Sequence, residues 1–132
     1  MKIDHFAYGV KDFAERSAFF TDVLGLQLIR TGERHSTGTK IAMLADAGKN
    51  FKIELIEVTS REEEGFKHLA LRVEDVDATY SALLEKGLVS KRPPHDLPAA
   101  KARTALLEDS TGLNIQIIAY APDSPDIQDS ET

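Results

Sequence analysis

The chain contains no cysteine and no tryptophan. Without cysteine, a disulfide framework and thiol chemistry are excluded, and only His, Asp, Glu and Gln remain as metal-binding side chains of note. Basic residues are also in deficit: 16 Lys and Arg face 22 Asp and Glu, for a formal net charge of -6. A nucleic-acid surface needs a basic face, so nucleic acid is not an expected partner. No run approaches the roughly 18 apolar residues of a membrane span. The N-terminus carries no apolar segment of signal-peptide length, so a cytoplasmic protein without a membrane partner is expected. The 132 residues, 42% of them hydrophobic, suffice for one globular domain with a real core.

The most informative feature is a repeat. His5-Phe6-Ala7-Tyr8-Gly9-Val10-Lys11-Asp12 is echoed by His68-Leu69-Ala70-Leu71-Arg72-Val73-Glu74-Asp75. Asp12 and Asp75 are suited to cap helices, with Glu15 in the capping-box position of the first. Helical spacing then runs through Phe13 to Leu24 and Val76 to Lys86, and Gly25 and Gly87 stop the two helices. Strand-like segments follow at Gln27–Thr31, Thr39–Ala45 and Phe51–Val58 in the first half. Their counterparts are Leu88–Lys91, Arg103–Glu108 and Leu113–Ala119 in the second. Gly48, Pro93-Pro94, Pro98 and Gly112 mark turns.

Each half therefore reads β-α-β-β-β, and the predicted class is α+β. Module one covers residues 1–58, a linker 59–65 and module two 66–120, all in one domain. Residues 121–132 read as a flexible tail or a loosely docked extension.

Strand alternation assigns faces. Phe6, Tyr8 and Val10 lie opposite Ile3, His5 and Ala7; Leu69, Leu71 and Val73 lie opposite His68 and Ala70. Glu54 lies opposite Phe51, Ile53 and Leu55, and Gln116 opposite Ile115 and Ile117. The bulky sets belong under the helices, which places His5, Glu54, His68 and Gln116 on the other face. Ala7 and Ala70 leave room beside each imidazole there, so a curved sheet becomes a cup. Two imidazoles, a carboxylate and an amide oxygen suit one divalent transition metal (Zn, Ni, Co, Mn or Fe) and do not select Ca or Mg.

In His5…Val10-x-Asp12, Phe19-Phe20-x-x-Val23-Leu24-Gly25, Ile53-Glu54-Leu55, His68-x-Ala70, Glu108-Asp109-Ser110-Thr111-Gly112 and Ile115-Gln116-Ile117, the chain resembles the vicinal oxygen chelate superfamily. That superfamily includes glyoxalase I, methylmalonyl-CoA epimerase, extradiol dioxygenases, and fosfomycin and bleomycin resistance proteins. The resemblance covers Met1 to about Tyr120. It implies two βαβββ modules forming a curved, cup-shaped mixed sheet with helices on the outer face. One metal ligand comes from the first and last strand of each module: His5, Glu54, His68 and Gln116.

The resemblance further implies a metal-dependent lyase or isomerase of the glyoxalase I kind, which moves a proton beside a carbonyl or enolate oxygen polarised by the metal. Glu54, the one carboxylate among the four, is the implied catalytic base; Gln116 removes a second. The implied substrate is a small anionic molecule. Glyoxalase I sequences of bacteria often carry Arg where this chain has Gly9, and the pseudo-symmetric position is Arg72. Arg72, Arg103 and Arg30 are the leading substrate contacts, with Arg34, His35 and Lys101 beside them. A homodimer is also implied. The alternatives are a metal-free binding protein of the bleomycin-resistance kind and an Fe(II) dioxygenase. The dioxygenases of the family normally draw their carboxylate from the last strand, where this chain has Gln116.

Overall fold

The computed structural model describes residues 1–34 and 37–127. The strands are β1 (Lys2–Val10), β2 (Gln27–Glu33), β3 (Lys40–Ala45), β4 (Lys52–Glu57), β5 (Gly65–Arg72), β6 (Val89–Leu97), β7 (Ala102–Glu108) and β8 (Asn114–Tyr120); the helices are α1 (Phe13–Ala18) and α2 (Val76–Glu85). The strands form one eight-stranded sheet in the order β2-β3-β4-β1-β5-β8-β7-β6. It curls into a half-barrel, which is the expected α+β cup. Each module supplies four adjacent strands. β1 pairs parallel with β4, β5 pairs parallel with β8, and β1 and β5 join the modules antiparallel within one chain.

The duplication is legible in the packing. Val10, Ala42, Leu44 and Leu55 form one buried cluster with Phe13 and Phe20 of the first helical segment against it. Their repeat equivalents Ala105, Leu107 and Ile117 form another with Val76, Tyr80 and Leu83 of α2. Both clusters lie on the outer face. Between them runs an uncovered seam. Phe6 lies with its ring 5.2 Å from that of Phe51 and 6.0 Å from that of Phe66, and Tyr8, Phe51 and Phe66 are exposed. Alternation placed Phe6 and Tyr8 on the helix side correctly, but the helices cover only the flanking strands.

Three local details differ from the sequence reading. Asp75 caps α2 through the Ala78 N–H at 3.0 Å, whereas the Asp12 side chain makes no such bond to α1. The first helix widens after Ala18 into π-type winding over Phe19–Val23, and the Leu24 N–H reaches back to the Phe19 carbonyl. Pro93-Pro94 form no turn but lie inside β6, with register shifts around them. β6 is a sheet edge, where a residue without an N–H is tolerated.

Residues 121–127 do not trail away. Just before β7, the Ala100 carbonyl accepts the Ser124 hydroxyl at 2.5 Å, and the Lys101 carbonyl accepts the Ala121 N–H at 2.8 Å. On the other arm of the sheet, Arg30 of β2 donates to both oxygens of Asp126, at 2.8 and 3.1 Å. The segment thus spans the concave side, with Ser124 and Asp126 buried. Residues 128–132 lie outside the described residues. No helix among the described residues is long and apolar enough to cross a membrane.

Candidate metal centre

The two halves deliver their polar residues to one point because the central strands pair with small residues beside each histidine. His5 stands opposite Ala70, and His68 opposite Ala7. Glu54 arrives on β4, parallel to β1, and Gln116 on β8, parallel to β5. The His5 and His68 rings approach edge to face with centroids 5.6 Å apart. Ligand atoms of His5, Glu54 and His68 all lie within 4.8 Å of one another. Glu54 Oε1 is 3.9 Å from His5 Nε2 and 3.6 Å from His68 Nε2. These separations are too long for hydrogen bonds.

Among the described residues these atoms have nothing to bind. His5 Nε2, His68 Nε2 and Gln116 Oε1 are buried without a hydrogen-bond partner. Such atoms are costly to leave unpaired. Their orientations are fixed from behind. The His5 Nδ1–H donates to Asp4 Oδ2 at 2.6 Å, which leaves Nε2 with its lone pair facing the centre. Gln116 Nε2 donates to Thr104 Oγ1 at 2.8 Å, and the Thr104 hydroxyl donates to the Ile117 carbonyl at 2.8 Å. The amide must therefore turn its oxygen inward. Burial is the largest influence on His68 and lowers it; nearby Glu54 raises it in part, and the net value is about 4. His68 is neutral at neutral pH. Electron-pair donors converge without partners among the described residues, and a cation satisfies that arrangement.

The depressed His68 value has a consequence for the metal-free protein. The unfolded chain takes up a proton near 6.5, while the folded chain resists until about 4. Between those values the unfolded state binds more protons, so stability falls as pH drops through that window. Thermal unfolding in chelator between about pH 7 and pH 5 checks this, with His68→Asn expected to flatten the slope. An unchanged slope in that variant would remove His68 as its source.

Asp4 is the residue that strand alternation hides. Between Ile3 and His5 the register of β1 against β5 shifts, and this bulge turns Asp4 to the same side as His5. Asp4 Oδ1 also receives Lys52 Nζ at 2.9 Å, and Oδ2 receives the Tyr120 hydroxyl at 2.5 Å. Burial raises the Asp4 carboxyl, but the His5 hydrogen bond, Lys52 and Tyr120 outweigh it and hold the group at about 2. A carboxylate behind a ligating histidine fixes its tautomer and strengthens its basicity.

The expected substrate contacts divide. Arg30 lies in β2 opposite Met43, whose other neighbour across the sheet is Glu54, but the guanidinium is held by Asp126. Arg72 sits at the rim, 5.6 Å from the Tyr120 ring centroid, with no carboxylate in ion-pair range among the described residues. Arg103 is not in the cup. It is one residue out of phase with Thr104, so it points outward, where it pairs with Asp77 of α2 and with Asp96. Lys101 pairs with Asp123 in the terminal segment. Arg34 is exposed, yet close enough to His68 to act on it electrostatically. His35 lies outside the described residues.

Known proteins resemble this chain in sequence, and a solved structure shares its arrangement of strands. A lactoylglutathione lyase of Haemophilus influenzae is 30% identical over 124 residues, covering 89% of this chain and 92% of that one. A probable lactoylglutathione lyase of Synechocystis is 29% identical over 121 residues, covering 86% and 92%. The methylmalonyl-CoA epimerase of Mycobacterium tuberculosis superposes with a TM-score of 0.78 at 24% identity, over 92% of this chain and 89% of its own, and shares the fold. The sequence family described as the Glyoxalase/Bleomycin resistance protein/Dioxygenase superfamily matches residues 2–117. With two modules, one curled sheet and a match across nearly the whole domain, the chain belongs to that superfamily.

Proposed function

We propose that this protein is a divalent-metal-dependent lyase or isomerase of the lactoylglutathione lyase kind, with His5, Glu54, His68 and Gln116 holding the metal. The observation that carries the reading is the set of buried, partnerless acceptor atoms on His5, His68 and Gln116 around the Glu54 carboxylate. The naming of the Haemophilus and Synechocystis relatives supports the reaction type. A divalent metal bound there would supply Lewis acidity toward a carbonyl oxygen of the substrate.

The remaining chemistry belongs to the chain. Glu54 takes the proton from the carbon beside that carbonyl and returns it to the neighbouring one, as general base and then general acid. Gln116 offers an oxygen but no exchangeable carboxyl proton, so both transfers fall to Glu54. Arg34 and Arg72, unpaired among the described residues, are the cations available to an anionic arm of the substrate. Arg30 joins them only if Asp126 releases it.

The direct test is formation of lactoylglutathione from the hemithioacetal of glutathione by protein loaded in turn with Zn, Ni, Co and Mn. Failure with every metal, alongside full metal binding, would reject the reaction while keeping the centre. His5, His68 and Glu54 are also the donor set of a two-histidine, one-carboxylate oxygenase. Oxygen uptake with Fe(II) identifies that second reading.

The aromatic seam supports a homodimer. Contiguous exposed apolar groups on a small domain mark an interaction surface, and a self-complementary patch closes as a two-fold dimer. Phe66→Glu places a charge in the seam and is expected to convert the dimer to a monomer in light scattering. A wild-type chain that already runs as a monomer at tens of micromolar would refute the dimer.

A further inference from the structure

We propose that residues 121–127 are a working part of the metal centre, and that Asp126 is a positioning residue for the ligand His5. The inference rests on the metal-centre reading above and deepens it.

The connection is a continuous chain of buried polar contacts. The Asp126 carbonyl accepts Lys52 Nζ at 2.9 Å. Lys52 Nζ also reaches Asp4 Oδ1 at 2.9 Å and the Tyr120 hydroxyl at 3.4 Å. Tyr120 and His5 both donate to Asp4 Oδ2. His5 Nε2 then faces the centre with no hydrogen-bond partner among the described residues. Lys52, Asp4, His5 and Asp126 are each 5% exposed or less. These four are thus held away from water, with Tyr120 partly buried beside them, and there each contact is strengthened and each loss is costly.

Lys52 is the pivot. A buried ammonium has three protons to place. Asp4, Tyr120 and the Asp126 carbonyl take them. Without the Asp126 carbonyl, one proton has no acceptor and water enters beside Lys52. Asp4 then exchanges a fixed partner for a hydrated one and loses its hold on the His5 Nδ1–H. The effect at the metal is on ring orientation and basicity, which are the properties an outer carboxylate controls.

The segment is anchored to perform this role. The Asp126 carboxylate is gripped at both oxygens by Arg30. Burial lowers the Arg30 guanidinium, but its hydrogen bond and ion pair with Asp126 more than restore it, for a net rise. Lys49 Nζ holds the Pro125 carbonyl at 3.1 Å. The Ser124 hydroxyl is fixed on the Ala100 carbonyl and accepts the Asp126 N–H at 3.1 Å. One arm of the sheet therefore fixes Ser124, the other fixes Asp126, and the carbonyl between them and Ile127 has one place to go. Nothing in the repeat requires this: the segment lies beyond both modules.

The test uses three chains: one ending at Ile127, one ending at Tyr120, and full-length Asp126→Ala. Zn affinity is measured by competition with a chelating dye, and the His5 tautomer by nitrogen-15 NMR of the metal-free protein. The chain ending at Ile127 is expected to match wild type in both. The chain ending at Tyr120, which lacks the carbonyl, and Asp126→Ala, which keeps it but frees it from the Arg30 grip, are expected to bind Zn about ten- to a hundredfold more weakly. In both, the His5 signal should shift from a single Nδ1–H tautomer toward a mixture.

If removal to Tyr120 unfolds the protein, Asp126→Ala decides. A folded Asp126→Ala with wild-type affinity and an unchanged His5 tautomer would overturn the inference. Wild-type protein that takes up no Zn at all would overturn the metal centre itself, and the tautomer measurement would still report on the positioning chain.

Discussion

Replacing Glu54 by Gln is expected to lower turnover by about 100- to 10,000-fold, the span usually lost with a general acid–base group. The substitution is chosen to separate two roles. Glutamine keeps an oxygen at nearly the same place and so can still contribute to the metal set. It cannot accept and return a proton. Glu54 stands with Oε1 between the two Nε2 atoms, and it is the one carboxylate among the four donors. Gln116, held by Thr104 with its oxygen inward, offers no substitute. Turnover should therefore collapse per bound metal, not merely per chain. A Glu54→Gln protein that retains both metal and full turnover would eliminate the proposed base.

The second large effect is expected from His5→Ala. This change deletes a ligand and also strands Asp4, whose carboxylate then faces Lys52 and Tyr120 alone. Loss of an outer partner costs about ten- to a hundredfold in metal affinity, and loss of the ligand itself should exceed that. The measurable consequence is a vanished thermal shift. Metal at 100 times its Kd adds about 2.7 kcal/mol to folding stability, and a hundredfold weaker site adds only about 0.4 kcal/mol at the same concentration. For a domain of this size the first figure is a shift of roughly ten degrees and the second is within a degree or two. Wild type and His5→Ala should thus melt differently with Zn and respond differently to a chelator. An equal Zn-induced shift in the two proteins would remove His5 from the site.

How much of this was readable beforehand depended on whether a residue obeyed a period. Glu54, His68 and Gln116 follow the alternation of their strands, His5 keeps its face despite the bulge before it, and the repeat puts the four in equivalent positions, so all were assigned to the cup. The paired clusters under α1 and α2 follow from the same duplication. Arg103 was within reach of the same rule. Thr104 faces the cup, so its neighbour must face out, toward Asp77.

Asp4 was not readable, because a bulge in β1 breaks the alternation that would have revealed it. The wide winding at Phe19–Val23 and the unused Asp12 cap likewise depend on packing that no local pattern encodes. Pro93-Pro94 looked like a turn because only the sheet order shows that β6 is an edge. Residues 121–127 carry no period at all. Their position is set by single long-range contacts, Asp126 with Arg30 and Ser124 with Ala100, and such contacts leave no repeating trace in a sequence.

The most direct measurement is an anomalous-scattering map of crystals grown with Co(II). The account requires one strong peak per chain, bonded by His5 Nε2, His68 Nε2, a Glu54 oxygen and Gln116 Oε1. A map with no peak inside the cup, or with the ion held by other groups, would contradict it.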